Sequence, residues 1–161
     1  MNEEVAHRSG WETSEVVFGV PFLISIFLHL VFPFSFHQEI LKWVFIPMGS
    51  ILVVAGVSCI VLARREFAIH DQPTDTGLPT KKIVSSGVFS ISRNPLYLGS
   101  VAVLFGIALI FNILWAVVIL IPSIVIAHYV LIFPEERYLA AKFGGEYKEY
   151  TASVHRWLGR K

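Results

Sequence analysis

Cysteine is almost missing from this chain. Cys59 is the only one, and it lies inside an apolar run. That excludes an internal disulfide framework and a cysteine-built zinc site. Charge is scarce as well: 16% of residues are Asp, Glu, Lys or Arg, where a soluble domain carries roughly 25%. The formal net charge of +1 lacks the basic excess of a nucleic-acid binder, so no nucleic-acid partner is expected. There is no G-x-G-x-x-G, no P-loop, no Ser-His-Asp set and no His/Cys/Asp group at metal-binding spacing. Neither a soluble-type dinucleotide site nor a metal is therefore expected. Internal repeats and low-complexity tracts are also lacking. The first residues, MNEEVAHRSGWETSE, are acidic and polar, and no small-residue cleavage site follows the first apolar run. No removable signal peptide is expected.

What the chain has in quantity is apolar sequence: 55% hydrophobic residues and a mean hydropathy of +0.65. Windows 16–36, 43–63 and 94–134 contain no Asp, Glu, Lys or Arg. Roughly 20 helical residues cross a hydrocarbon core. The third window is about twice that length, and Asn112 is its obvious turning point. The expectation is a single all-α integral-membrane domain over 1–161 with about four transmembrane helices. These would be approximately 16–36, 43–63, 96–111 and 113–133, with a loop at 64–94 and a tail at 135–161.

With that count, one side holds Arg8, Arg64, Arg65, Lys81, Lys82, Arg93, Arg137, Lys142, Lys148, Arg156, Arg160 and Lys161, and the other holds Lys42 alone. Short cytoplasmic segments collect Lys and Arg. Loop, tail and both termini are therefore expected in the cytoplasm, on a plasma membrane or its equivalent. In the tail, Leu139, Phe143, Tyr147, Tyr150 and Val154 recur at helical spacing around Gly144-Gly145. That pattern predicts two short amphipathic helices at the membrane surface.

Two polar elements flank the apolar hairpin. "SRNPLYLG", residues 92–99, sets Arg93, Asn94 and Pro95 at a span boundary. Asn is a good N-cap and Pro suits the first helical position. The local reading is a helix start with Arg93 anchored at the headgroups. The functional reading is an anion pocket, since a helix N-terminus carries free N–H groups and partial positive charge. "FPEERY", residues 133–138, places Glu135 and Glu136 where a span leaves lipid. Paired acids suit a helix start, and they can also take ribose hydroxyls or an ammonium group. His128 lies two turns before Glu135 on roughly the same face. It suits a hydrogen bond to a neighbouring helix, or a base if the substrate is a neutral amine or thiol.

These elements, in this order, resemble the integral-membrane methyltransferases of the isoprenylcysteine carboxyl methyltransferase and phospholipid methyltransferase group. The box is Arg93-Asn94-Pro95-Leu96-Tyr97-Leu98-Gly99, with Asn where many members have His. The tail is Phe143-Gly144-Gly145-Glu146-Tyr147 with Tyr150. The resemblance covers roughly residues 74 to 152. It implies a cofactor, S-adenosyl-L-methionine, held at the cytosolic face, and a lipophilic or small membrane-permeant methyl acceptor arriving from the bilayer.

By the same resemblance, cofactor contacts come from Lys81, Lys82, Ile83, Val84, Phe89, Asn94, Pro95, Leu96, Tyr97, Glu135 and Glu136. Arg93, Glu135 and His128 are the candidates for the chemistry. Phe89 stands where relatives often have Tyr. Val130, Leu131, Ile132 and Phe133 stand where eukaryotic prenylcysteine enzymes carry an arginine for the substrate carboxylate. Two alternatives remain at this point: an NADPH-dependent membrane reductase of steroid-reductase type, and a non-enzymatic small membrane subunit.

Overall fold

A computed structural model describes residues 13–35, 41–73 and 78–161. Arg8, Phe36 and the loop residues Thr74 to Gly77 lie outside them, as do the sequence expectations that fall there. The described residues form helices with no sheet; one isolated antiparallel bridge joins Val154 to Arg160. A π-helical turn, Glu15–Gly19, leads into α1 (Val20–Val31). Next come α2 (Lys42–Ile69), α3 (Pro95–Phe111), α4 (Leu114–Ala127), α5 (Phe133–Phe143) and α6 (Gly145–Ser153).

The expectation of about four transmembrane helices is corrected. Among the described residues, two helices are long and apolar enough to cross a membrane: α2, with 28 residues, and Leu114–Phe143, with 30. The latter joins α4 to α5 through a π-helical turn, His128–Ile132. The other apolar helices, Glu15–Val31 and Pro95–Phe111, are shorter. Pro95–Phe111 has 17 residues, a rise of roughly 25 Å against a core of about 30 Å. Counting charge-free residues hid this difference, because an apolar window includes the turns and extended ends that a helix does not. The apolar stretch of α2 is only 11% buried within the molecule, and that of Leu114–Phe143 28%. Such faces suit lipid rather than a water-excluding protein core.

α2 and α3 form the tightest seam. Gly49 and Gly56 on α2 face Gly106 and Gly99 on α3, each pair seven residues from the next. A Cβ built on Gly56 would lie 2.6 Å from the Gly99 carbonyl oxygen, and one on Gly49 would lie 2.6 Å from that of Gly106. Small residues at such spacing let backbones approach, which drives helix association where lipid removes the hydrophobic advantage. The Cys59 thiol donates to the Pro95 carbonyl at 3.3 Å along the same seam. This packing fixes where α3 begins.

At the far end the chain reverses at Asn112, which adopts the left-handed conformation (φ 56°, ψ 40°) that asparagine tolerates well. α4 then returns beside α3, so the third apolar window forms a hairpin. The expected amphipathic pair in the tail is redrawn. α5 continues the long helix, and α6 alone follows the break at Gly144, whose φ is +52°.

The loop before α3 folds onto the end of α2. Phe67 and Phe89 stack with centroids 4.9 Å apart, and the buried Tyr150 hydroxyl donates to the Phe89 carbonyl at 2.7 Å. Burial raises the Tyr150 pKa further above its ordinary value, so the donor stays protonated. Tyr150→Phe leaves that carbonyl unpaired. A loss of roughly 1–3 kcal/mol is expected, measurable as a lowered thermal midpoint of the full chain in detergent.

Candidate active site

The loop, the start of α3, the start of α5 and α6 converge around a cavity of about 580 Å³. Its lining runs from the polar side chains Gln72, Thr80 and Lys82 to Phe18, Val103 and Leu104. Loop, tail and apolar helices all contribute to the lining. The π-helical turn at the start of the described chain closes one wall through Ser14, Glu15 and Phe18.

Pro95 opens α3, as its fixed φ and missing N–H allow. Asn94 does not cap it with its side chain. Its Nδ2 donates to the Arg156 carbonyl at 3.1 Å, and its backbone N–H donates to Ser92 Oγ at 3.1 Å. The first-turn N–H groups of Leu96 and Tyr97 have no acceptor within the helix, and both residues line the cavity.

Tyr97 and Glu135, 38 residues apart, meet at this wall: the phenol donates to Glu135 Oε2 at 3.2 Å. Glu135 and Glu15 are the carboxylates among the lining residues. The neighbouring acid has another fate. Successive helical residues point about 100° apart, and Glu136 turns to the tail. Arg156 grips both of its oxygens, Oε2 at 2.6 Å and Oε1 at 3.0 Å, and Arg93 Nη1 shares Oε1 at 3.1 Å. The Glu136 bonds raise the Arg156 pKa above its ordinary value, which keeps the guanidinium charged.

Arg93 lines the cavity but is tied to Glu136, and it donates to the Tyr147 hydroxyl at 3.4 Å. Its Nε is buried without a hydrogen-bond partner. Burial first, then the nearby Glu136 charge, pushes the Tyr147 phenol up to about 12, so it meets Arg93 as a neutral acceptor.

Of the residues singled out from sequence, Lys82, Ile83, Val84, Phe89, Arg93, Asn94, Pro95, Leu96, Tyr97 and Glu135 line this one cavity. Lys81, Glu136 and His128 are not among the lining residues. Lys81 is exposed, and its backbone N–H donates to Gln72 Oε1 at 2.9 Å. His128 sits in the π-helical turn with its ring edge-on to Tyr129, centroids 5.0 Å apart. The two-turn spacing to Glu135 did not bring it to the cavity, because the π-helical turn changes the angular register between them.

Sequence reasoning missed Gln72. It is 7% exposed and lines the cavity, and its Nε2 lacks a hydrogen-bond partner. A lone Gln in a Pro- and Thr-rich loop carries no pattern that would have marked it. The wall formed by Ser14, Glu15 and Phe18 was missed for the same reason.

In comparison with protein families, the model of the phospholipid methyltransferase family matches residues 44–146. It spans well over half of the chain and contains both the box at 93–99 and the Glu135-Glu136 pair. Comparisons with curated proteins and with solved structures return no match. The match sets aside the reductase and non-enzymatic alternatives. With its apolar helices and a cavity where the two elements meet, the chain belongs to the phospholipid methyltransferase family and is a membrane-associated, S-adenosylmethionine-dependent methyltransferase.

Proposed function

We propose that this protein transfers a methyl group from S-adenosylmethionine, bound in the 580 Å³ cavity, to a lipophilic or small membrane-permeant acceptor at the cytosolic membrane face. The observation that carries this reading is the meeting of Tyr97 and Glu135 at one cavity wall. The volume falls within the range of small-molecule sites. The unpaired donor on Gln72, the open N–H groups of α3 and the Glu135 carboxylate suit a ligand that carries ring nitrogens, a carboxylate, an ammonium group and a ribose diol.

In this reading Lys82, Ile83, Val84, Phe89, Asn94, Pro95, Leu96 and Tyr97 hold the cofactor. Glu135 takes its cationic or hydroxyl groups. Arg93 shapes the wall, with Glu136 holding it in place. The bound cofactor supplies an electrophilic methyl on a sulfonium. The chain's own part is to align that methyl with the acceptor and exclude water. Alignment alone can contribute several kcal/mol, and a dry site strengthens the electrostatic interactions inside it. The apolar lining residues Phe18, Val103 and Leu104 suit contact with an oily acceptor.

Cytosolic orientation is supported by Arg64, Lys82 and Arg93 at the cavity. Ser14, near the start of the described chain, lines the cavity, and Arg160 bonds the Ser90 carbonyl in the loop before α3.

The direct test is incubation of the purified protein with methyl-labelled S-adenosylmethionine and membrane extract, followed by identification of the labelled product. Label is expected in an organic-extractable or small volatile compound. Complete retention of label in the cofactor, across extracts from several sources, would rule the proposal out. Tyr97→Phe removes the hydroxyl that steadies Glu135. A loss of about 1 kcal/mol, or roughly fivefold in cofactor affinity, is expected by titration calorimetry.

A further inference from the structure

The last eight residues lie beyond the part of the chain that the family model covers, yet they fasten the two walls of the cavity to each other. They form a small hairpin: Val154 bridges Arg160, and the His155 N–H donates to the Gly159 carbonyl at 2.9 Å. Gly159 has φ +104°, a conformation open chiefly to glycine. This hairpin docks on the strip before α3. The Arg93 N–H donates to the His155 carbonyl at 3.2 Å, and the Gly159 N–H to the Ile91 carbonyl at 2.7 Å.

Arg156 stands at the centre of the arrangement. Its carbonyl accepts from Asn94 Nδ2 at 3.1 Å and from Ser92 Oγ at 3.5 Å. Its guanidinium holds Glu136 through two bonds, 3.0 and 2.6 Å. One residue thus grips the start of α3 with its backbone and the start of α5 with its side chain. Asn94 leads directly into Tyr97, and Glu136 adjoins Glu135. Two-point arginine–carboxylate pairing fixes direction as well as distance, which a single lysine contact does not. Arg156 is not among the cavity-lining residues.

We infer that Arg156 is a positioning residue for the methyl-transfer site: acting through Glu136 and Asn94, it sets the separation of Tyr97 and Glu135 and so tunes cofactor affinity. This inference rests on the reading of the cavity as the cofactor site.

The test is titration calorimetry of S-adenosylmethionine into the full chain in detergent, comparing wild type with Arg156→Ala, Arg156→Lys, Glu136→Gln, the Arg156→Ala/Glu136→Gln double variant and Glu135→Gln. Arg156→Ala is expected to weaken affinity by about tenfold, the scale of a lost charge-assisted contact, with the fraction of binding-competent protein unchanged. Arg156→Lys should fall between it and wild type. Glu136→Gln should weaken binding similarly, and the double variant should be no worse than either single one.

A purely structural role would lower the competent fraction and leave the affinity of the rest intact; that result overturns the inference. Additive losses in the double variant overturn it too. If Arg156→Ala does not fold, wild-type affinity in Arg156→Lys and Glu136→Gln does the same. Loss of binding in Glu135→Gln with normal affinity in those two overturns this inference alone. Normal affinity in Glu135→Gln overturns the cavity reading and this inference with it.

Discussion

Glu135→Gln should weaken S-adenosylmethionine binding by about 10- to 100-fold while leaving the thermal midpoint close to wild type. The amide keeps the size of the carboxylate, and its carbonyl can still accept the Tyr97 hydroxyl, now at 3.2 Å. What it removes is the ability to carry negative charge opposite a cationic ligand. Bonds to a charged group contribute about 1.5–3 kcal/mol, and 1.4 kcal/mol is a factor of ten. Glu15, the other lining carboxylate, is exposed, so solvent screens it and Glu15→Gln should change affinity much less. Calorimetry on both variants checks the pair. Equal effects would mean that the wall where Tyr97 meets Glu135 has no special role. A large drop in midpoint for Glu135→Gln would mean that the carboxylate holds the fold rather than the ligand.

Gly56→Leu should be the most disruptive single change to the fold. The obstruction is backbone: the Gly99 carbonyl oxygen lies 2.6 Å from where the new Cβ must stand, and the Val103 side chain and N–H lie within 2.9 Å. No rotamer change relieves a clash at Cβ, so α2 and α3 must separate. Overpacking costs roughly 1–3 kcal/mol where side chains can yield, and here the upper end applies. At about 2–4 °C per kcal/mol for a chain of this length, the midpoint should fall by roughly 6–12 °C. Cofactor affinity should fall with it, because the same seam positions Pro95 to Tyr97. Gly99→Leu should behave alike. Gly145→Ala, where nothing lies within 4 Å of the added Cβ, should be neutral or slightly stabilising in its helix. A melting series in detergent separates these outcomes.

The two elements that build the cavity wall are legible in the sequence because their signals are local. Pro95 after a polar strip marks a helix start, and acids after Pro134 mark the emergence of an apolar run. The reversal at Asn112 is legible for the same reason: asparagine is a residue that enters the left-handed region at small cost. The division of labour between Glu135 and Glu136 was not legible. Adjacent acids look equivalent on paper, and only the direction of the helix face, with Arg156 waiting on one side, separates a lining carboxylate from a structural one. His128 illustrates the converse. Regular helical spacing pointed it towards Glu135, and the π-helical turn at 128–132 broke that spacing.

By itself the sequence determined the apolar, all-helical character, the lack of an internal disulfide framework in these residues, and the presence of two motif-bearing boundaries around a hairpin. These follow from composition and from neighbours a few residues apart. Among the described residues, tertiary structure alone decided that two helices rather than four reach membrane-crossing length, that the heptad-spaced glycines face each other, that Gln72 lines the cavity, and that the tail hairpin docks beside the start of α3. The physical reason is range. Helix propensity and capping act within a turn or two, whereas a cavity wall depends on which distant surfaces pack, and on how closely their backbones can approach.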